Sequence, residues 1–366
     1  MGDVMRTWFV VDDQPDDVKP FCASFLRETE GRSYDWRVLS PSQAGTALFG
    51  LPEDPLAGVL IDIDLSREIL GTGLGLAQDL RAKQKNNEIA DYPIVRFANL
   101  DPVKKYVGAD PVSDDLFDLF IGKDRARQYP RAIVDECIAV RMVYDILEPR
   151  KFTEEEFARV CGLAPERFEV WGDIRFYQRV STRLDAALHA GAGTYIRSFL
   201  LPDGLLIGED LLAVRLGVDR EASGQYWETL KSAFRSASYE GPGAAAFERW
   251  WARGIEAIWF SIDPGDYLHE LTVTERISKL SEHFALEGLV PLQPSNESPG
   301  DRYWRLCTLS KERSRIVPVD PRNGVNLTSA VQPDPWLEPE QAALGIAAME
   351  QGDARLAKLN LKRPAG

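Results

Sequence analysis

Between Trp8 and Leu147 the chain alternates short apolar runs with longer amphipathic stretches, and this alternation constrains its fold more than any other feature. The runs Trp8–Val11, Gly58–Ile63, Pro93–Ala98 and Leu116–Ile121 are predominantly apolar, as strands buried on both faces are, and Trp36–Leu39 is a weaker fifth run. Helical periodicity fills the intervals at about Val18–Glu30, Ser42–Phe49, Leu74–Lys85 and Pro102–Val107, and a final helix spans about Pro130–Leu147. Five runs separated by helices predict an α/β domain with one parallel five-stranded sheet, doubly wound. At 366 residues the chain has room for a second domain. The sequence places the boundary at 148/149, where Glu148-Pro149-Arg150 ends the long helix and Thr153-Glu154-Glu155-Glu156 offers a capping box for the next.

The charged residues fall at the ends of those runs. Asp12 and Asp13 close the first, Asp62 and Asp64 the Gly58–Ile63 run, and Lys123 follows the last. In a doubly wound sheet the carboxyl ends of neighbouring strands face one crevice, so these side chains are expected to converge. Carboxylates brought that close repel, and a hard divalent cation with an ammonium opposite relieves the repulsion; all-oxygen ligation suits Mg²⁺. Taken alone, Asp12-Asp13 reads equally as a solvated strand end and Lys123 as one surface lysine among many.

The ordered set resembles the receiver domains of two-component response regulators over about residues 7–147, which implies a flavodoxin-like fold. Val10-Val11-Asp12-Asp13 matches the acid pair, Leu60-Ile61-Asp62-Ile63-Asp64-Leu65 the phosphorylated strand end, and Gly73-Leu74-Gly75-Leu76 the following helix start. Pro93-Ile94-Val95 and Phe120-Ile121-Gly122-Lys123 match the last two strands. The resemblance implies that Asp62 takes a phosphoryl group from a phosphohistidine of a partner histidine kinase or phosphotransfer protein. It further implies that Asp12, Asp13, Asp62 and the backbone carbonyl of Asp64 hold Mg²⁺, and that Lys123 contacts the phosphoryl oxygens. The chain departs from the pattern at Ala98, where a hydroxyl residue is usual, at Ser66, where Pro is common, and at Phe120, where the switching aromatic stands. A receiver without that hydroxyl suggests a phosphate sink. The alternative is a non-phosphorylated, receiver-like adaptor in a signalling or phage-defence complex. Gly71-Thr72-Gly73-Leu74-Gly75 imitates a nucleotide fingerprint, but Leu76 stands where its third glycine belongs.

Residues 149–366 resemble no effector family. Helical periodicity recurs at about Glu154–Val160, Asp173–Ala190, Tyr195–Leu201, Glu209–Leu216, Gln225–Ser236, Ala244–Phe260, Thr274–Phe284 and Glu338–Gln351, with short strands possible within Arg302–Val319. This predicts a mostly helical output or interaction domain acting through protein contacts. Seven of the nine tryptophans lie here and suggest a large aromatic core. Segment 209–236 has the outline of a helix-turn-helix, which makes a DNA-binding regulator a further alternative. Its candidate recognition helix, however, balances Lys231 and Arg235 against Glu221 and Glu228. Arg249-Trp250-Trp251-Ala252-Arg253 reads either as a core helix or as an exposed partner anchor.

Charge argues the same way about nucleic acid. The formal net charge is −14; residues 1–150 carry 18 basic and 26 acidic side chains (−8), which leaves 25 and 31 (−6) for the rest. Phosphate-backbone binding needs a basic face that neither half advertises, so DNA is not the expected partner. Cys22, Cys137, Cys161 and Cys307 show no CxxC spacing, and no apolar run approaches a membrane span, so a cytoplasmic protein is expected. The three histidines, His189, His269 and His283, form no metal or nucleophile–His pattern, and no enzymatic site beyond self-catalysed phosphotransfer is expected. A homodimer is possible.

Overall fold

The structure is a computed structural model that describes residues 5–49, 55–63, 65, 72–99, 115–310, 316–327, 334–343 and 346. The chain forms two compact units. Unit 1 comprises Met1–Phe168, Ile174–Leu201 and Glu240–Phe247; unit 2 comprises Glu169–Asp173, Pro202–Tyr239 and Glu248–Gly366. Helices following the expected boundary at 148/149 thus belong to the same unit as the sheet.

In unit 1 the strands are β1 (Arg6–Val11), β2 (Tyr34–Leu39), β3 (Leu56–Ile61), β4 (Ile94–Ala98) and β5 (Leu119–Gly122). All pair in parallel, in the order β2-β1-β3-β4-β5. That order reverses beside β1, so the crevice for a ligand opens at the carboxyl ends of β1 and β3. The helices are α1 (Pro15–Glu28), α2 (Pro41–Phe49), α3 (Gly73–Lys85), α4 (Lys123–Gln128) and α5 (Pro130–Leu147). The expected helix at Pro102–Val107 lies outside the described residues.

Side chains alternate across the sheet, as period-2 geometry requires. Phe9, Val11, Val59 and Ile61 pack with Ala44 and Leu48 of α2 and Leu76, Ala77 and Leu80 of α3. On the other face the Trp8 and Trp36 rings stack at 5.4 Å, and Phe25 of α1 lies 4.9 Å from Trp36.

The rest of unit 1 is helical: α6 (Glu154–Val160), α7 (Pro165–Trp171, whose last residues pass into unit 2), α8 (Ile174–Ala186) and α9 (Leu188–Tyr195), which continues as a π-helical turn over Ile196–Leu200. The capping box forms as read, with Thr153 and Glu156 exchanging hydrogen bonds. The single helix expected over Asp173–Ala190 is instead two, because Ala187 is extended (φ −168°, ψ 148°) and breaks the ladder. These helices attach through the amino ends of β4 and β5. Asp91, just before β4, pairs with His189 Nδ1 at 2.9 Å and Arg150 Nη2 at 3.1 Å. Asp118, just before β5 and wholly buried, accepts from Arg81 at 2.7 Å and Tyr144 at 2.9 Å, while Arg197 donates to the Phe117 carbonyl at 3.0 Å. The Asp118 Oδ2 takes these bonds and the Ile94 N–H at 2.9 Å, while Oδ1 has only the Arg197 guanidinium, as an ion pair at 3.6 Å; a carboxylate so buried is tolerable because cations face it.

Unit 2 is built from α10 (Glu209–Leu216), α11 (Arg220–Ser223), α12 (Gln225–Ala233), α13 (Ala252–Ile262) and α14 (Val273–Phe284), with short antiparallel pairs. These pairs are β6 (Leu206–Gly208) with β7 (Arg249–Trp251), β8 (Arg305–Leu306) with β9 (Pro318–Val319), and β10 (Val325–Asn326) with β11 (Gln341–Ala342). Its core gathers Leu212, Leu216, Trp227, Leu230, Trp250, Ile255 and Trp259. Two expectations are corrected. Arg249-Trp250-Trp251 is not helical but a strand paired to Leu206–Gly208, and both tryptophans are core, so the motif is no exposed anchor. The helix expected over Glu338–Gln351 does not begin at Glu338: residues 338–343 are extended chain and β11, while Ile346 is helical.

Candidate functional site

The switch point of the sheet carries the acids. Asp12 follows β1 directly, its backbone N–H donating to Leu39 O at 3.2 Å, and Asp62 follows β3, donating to Val11 O at 3.0 Å. Strand pairing therefore continues one residue past each apolar run and holds both carboxylates at the crevice. Asp12 and Asp62 are 1% and 7% exposed, and Asp13 is half-buried. Oxygens of Asp12, Asp13 and Asp62 all lie within 4.8 Å of one another. Lys123, the first residue of α4, reaches back so that Nζ donates to Asp12 Oδ2 at 2.8 Å and Asp62 Oδ2 at 2.5 Å, with the Phe97 ring 5.7 Å away. Asp64 lies outside the described residues, so the site stands on Asp12, Asp13, Asp62 and Lys123.

Burial pushes the Asp12 carboxyl above its ordinary value, against the opposing pull of the Lys123 ammonium and the Gln14 backbone N–H, which donates to Oδ1 at 2.8 Å. Burial also works against the Lys123 cation, but its hydrogen bonds and attraction to Asp12 and Asp62 outweigh it and raise the ammonium's pKa. Three ionised carboxylates against one ammonium leave a formal charge of −2, which one divalent cation cancels. Oxygens around one Mg²⁺ at roughly 2.1 Å stand about 3 Å apart when adjacent and about 4.2 Å when opposite. Carboxylate oxygens within 4.8 Å of one another need to close by at most about 2 Å to meet that geometry, and the all-oxygen donor set is the kind Mg²⁺ selects.

The glycine-rich stretch serves the site, not a nucleotide. Thr72 caps α3, its Oγ1 accepting from Gly75 N at 3.2 Å, and Gly73 N donates to Ile63 O at 3.2 Å. A Cβ on Gly73 would stand 1.9 Å from the carbonyl oxygen of Asp62. The helix start is thus butted against the backbone of the central carboxylate, and only glycine fits there. Sequence reading noted this glycine through its place in the motif; the close approach that requires it becomes visible only in three dimensions.

The departures are equally concrete. Ala98 ends β4 opposite Gly122, buried and without a hydroxyl to offer. Phe120 sits opposite Arg96, whose guanidinium lies 5.3 Å from the ring centroid, a contact worth roughly 0.5–1 kcal/mol toward keeping the ring in place.

The helix-turn-helix outline is present as α10, α11 and α12; Arg235 lies exposed beyond the end of α12, and the other cations are engaged. Arg220 pairs with Asp210 at 2.7 Å, Arg215 with Glu338 at 2.5 Å, and Lys231 with Glu228 at 3.1 Å and Glu209 at 3.2 Å. Trp227 Nε1 also donates to Glu209, which makes the segment part of the unit's core.

No protein-family model matches the chain, and no curated protein matches it. Among solved structures it is similar to the response regulator TrrA of Thermotoga maritima, a complex with Mg²⁺-BeF, at 18% identity over 35% of this chain and 97% of that one, with a TM-score of 0.25. It is also similar to the RcsB response regulator of Salmonella typhimurium at 13% identity over 45% of this chain and 87% of that one, with a TM-score of 0.26. The sheet order of unit 1 is that of the flavodoxin-like, doubly wound fold, and its acids stand at the β1 and β3 ends with the lysine after β5. No helix among the described residues is long and apolar enough to cross a membrane.

Proposed function

We propose that the chain is a response regulator whose receiver accepts a phosphoryl group on Asp62 from a histidine kinase or phosphotransfer protein, and that unit 2 acts downstream through protein contacts. One observation carries this reading: Asp12, Asp13, Asp62 and Lys123, separated by up to 111 residues in sequence, meet in one partly buried crevice at the switch point. In the transfer, an Asp62 carboxylate oxygen attacks phosphorus in line, the P–O bond forms as the P–N bond to the donor imidazole breaks, and the imidazole leaves with its electron pair and takes up a proton. Asp12, Asp13 and Asp62 would hold Mg²⁺, which supplies charge neutralisation for the phosphoryl oxygens when bound. Lys123 is already within reach of Asp62, so its ammonium can pass from that carboxylate to a phosphoryl oxygen without moving its backbone.

Ala98 removes the hydroxyl that would bond the phosphoryl group, and Phe120 is held by Arg96, so phosphorylation is expected to produce little movement of β4 and β5. That favours a sink that drains a kinase over a conventional switch. The test is incubation with Mg²⁺ and acetyl phosphate, followed by intact mass. A gain of one phosphoryl mass in the wild type and none in Asp62→Asn supports the proposal. No gain together with no Mg²⁺ binding sinks it and leaves the adaptor reading.

A further inference from the structure

We infer that unit 2 holds a binding site for a phosphate-like dianion, formed by Arg276, Arg215 and Arg302 beside Trp304. Arg276, on α14, is wholly buried, and Arg215, at the end of α10, is 2% exposed. Both guanidinium groups approach the same indole, at 4.4 Å for Arg215 and 5.7 Å for Arg276 from the Trp304 ring centroid. Arg276 Nη1 donates to Tyr303 O at 2.7 Å and Arg215 O at 2.9 Å, which caps the negative end of α10. Its Nε and Nη2 find no acceptor, so three of the five N–H groups that a guanidinium carries are buried and unused. Arg215 Nε and Arg302 Nε are buried and unpartnered as well.

Counter-charge is short here. Glu338 answers Arg215 through Nη2 at 2.5 Å. Asp320 spends both oxygens on Arg322, with Nη2 at 2.6 Å and Nε at 3.0 Å, and takes only the backbone N–H of Arg302. Burial, with Arg302 and Arg215 adding repulsion, pushes the Arg276 guanidinium down to about 10 despite Asp320 and Asp301. Buried guanidinium N–H groups without acceptors are costly, and an ion with several oxygens that accepts from more than one guanidinium removes the cost. Monovalent chloride supplies one charge and no divergent acceptors. A tetrahedral dianion supplies two charges and oxygens aimed in different directions, and phosphate is the physiological case. Arg302 and Trp304 are half-buried, so the site reaches solvent on their side.

The test uses the full chain in an Asp62→Asn background without Mg²⁺, so that the receiver crevice contributes nothing. Inorganic phosphate, sulfate and chloride are compared at equal ionic strength by calorimetric titration and thermal unfolding. Saturable binding of phosphate and sulfate, absent with chloride, is expected, and Arg302→Gln should weaken it about tenfold or more. Arg302 is half-buried where Arg276 is wholly buried, so this variant disturbs the fold less than Arg276→Gln. Equal responses to chloride, no saturable response, or saturable binding that Arg302→Gln leaves unchanged each overturn the assignment.

Discussion

Replacing Lys123 by Met removes the ammonium while keeping most of the side chain's bulk, and it isolates the electrostatics of the crevice. Nζ lies 2.8 Å from Asp12 and 2.5 Å from Asp62, with side-chain exposures of 12%, 2% and 10% for Lys123, Asp12 and Asp62. Breaking a buried pair by deleting one partner costs about 3–5 kcal/mol. Two carboxylates within 4.8 Å of each other repel by roughly 3.5 kcal/mol or more at an effective dielectric constant of about 20, and protonation of one of them limits the total. We expect Lys123→Met to lose about 3–4 kcal/mol in urea unfolding at pH 7 in EDTA, followed by far-UV circular dichroism. Millimolar Mg²⁺ should stabilise the variant more than the wild type, because the dication then answers carboxylates that no longer have an ammonium. Asp13→Asn is the converse: it removes a like charge, raises stability without Mg²⁺ and weakens Mg²⁺ binding. A loss under about 1 kcal/mol for Lys123→Met, or equal Mg²⁺ increments in both proteins, would refute this account of the crevice.

Three further outcomes follow from particular contacts. Gly73→Ala places a methyl group 1.9 Å from the Asp62 carbonyl, so the start of α3 must shift; a loss of about 2 kcal/mol or more and failure of acetyl phosphate labelling at Asp62 are expected, and wild-type labelling would contradict the close approach. Asp91→Ala strips His189 and Arg150 of their shared carboxylate, and faster amide exchange in Ile174–Tyr195 than in the sheet should reveal it. In unit 2, burial would raise Asp320, but its bonds from Arg322 and the Arg302 N–H outweigh that and hold it below 3.8. A lowered carboxyl contributes stability that is present above pH 3.8 and lost as pH falls through its depressed value. Asp320→Asn should therefore flatten the acid limb below about pH 4, and an unchanged limb counts against the pairing.

What the sequence disclosed and what it withheld divide along physical lines. The sheet was legible because parallel strands buried on both faces are predominantly apolar, and three of the runs here are closed by a residue that apolar burial cannot absorb: Asp12 after Val11, Asp62 after Ile61, Lys123 after Gly122. Periodicity located those ends to within a residue or two, and the switch-point rule then brought the site together without any knowledge of the contacts. Asp64 was legible too, but it falls outside the described residues.

Unit 2 was opaque for the opposite reason. Its strands are two or three residues long, too short to express a period, so Arg249-Trp250-Trp251 could not be told from a helical turn, and Gln341-Ala342 was hidden inside a helical pattern. The join between units was equally unreadable. A capping box at Thr153 marks where a helix starts, which is a local fact, whereas the unit to which that helix belongs is decided by Asp91 and Asp118, whose partners lie up to 98 residues away. Buried charge behaves in both units as the long-range glue that apolar patterning cannot encode. A lone Asp before a strand or an Arg at a helix end looks like any solvated residue until the fold removes its water, and the groups left unbalanced by that removal, three carboxylates facing the single ammonium of Lys123 and Arg276 with three idle N–H groups, are where a ligand has most to offer.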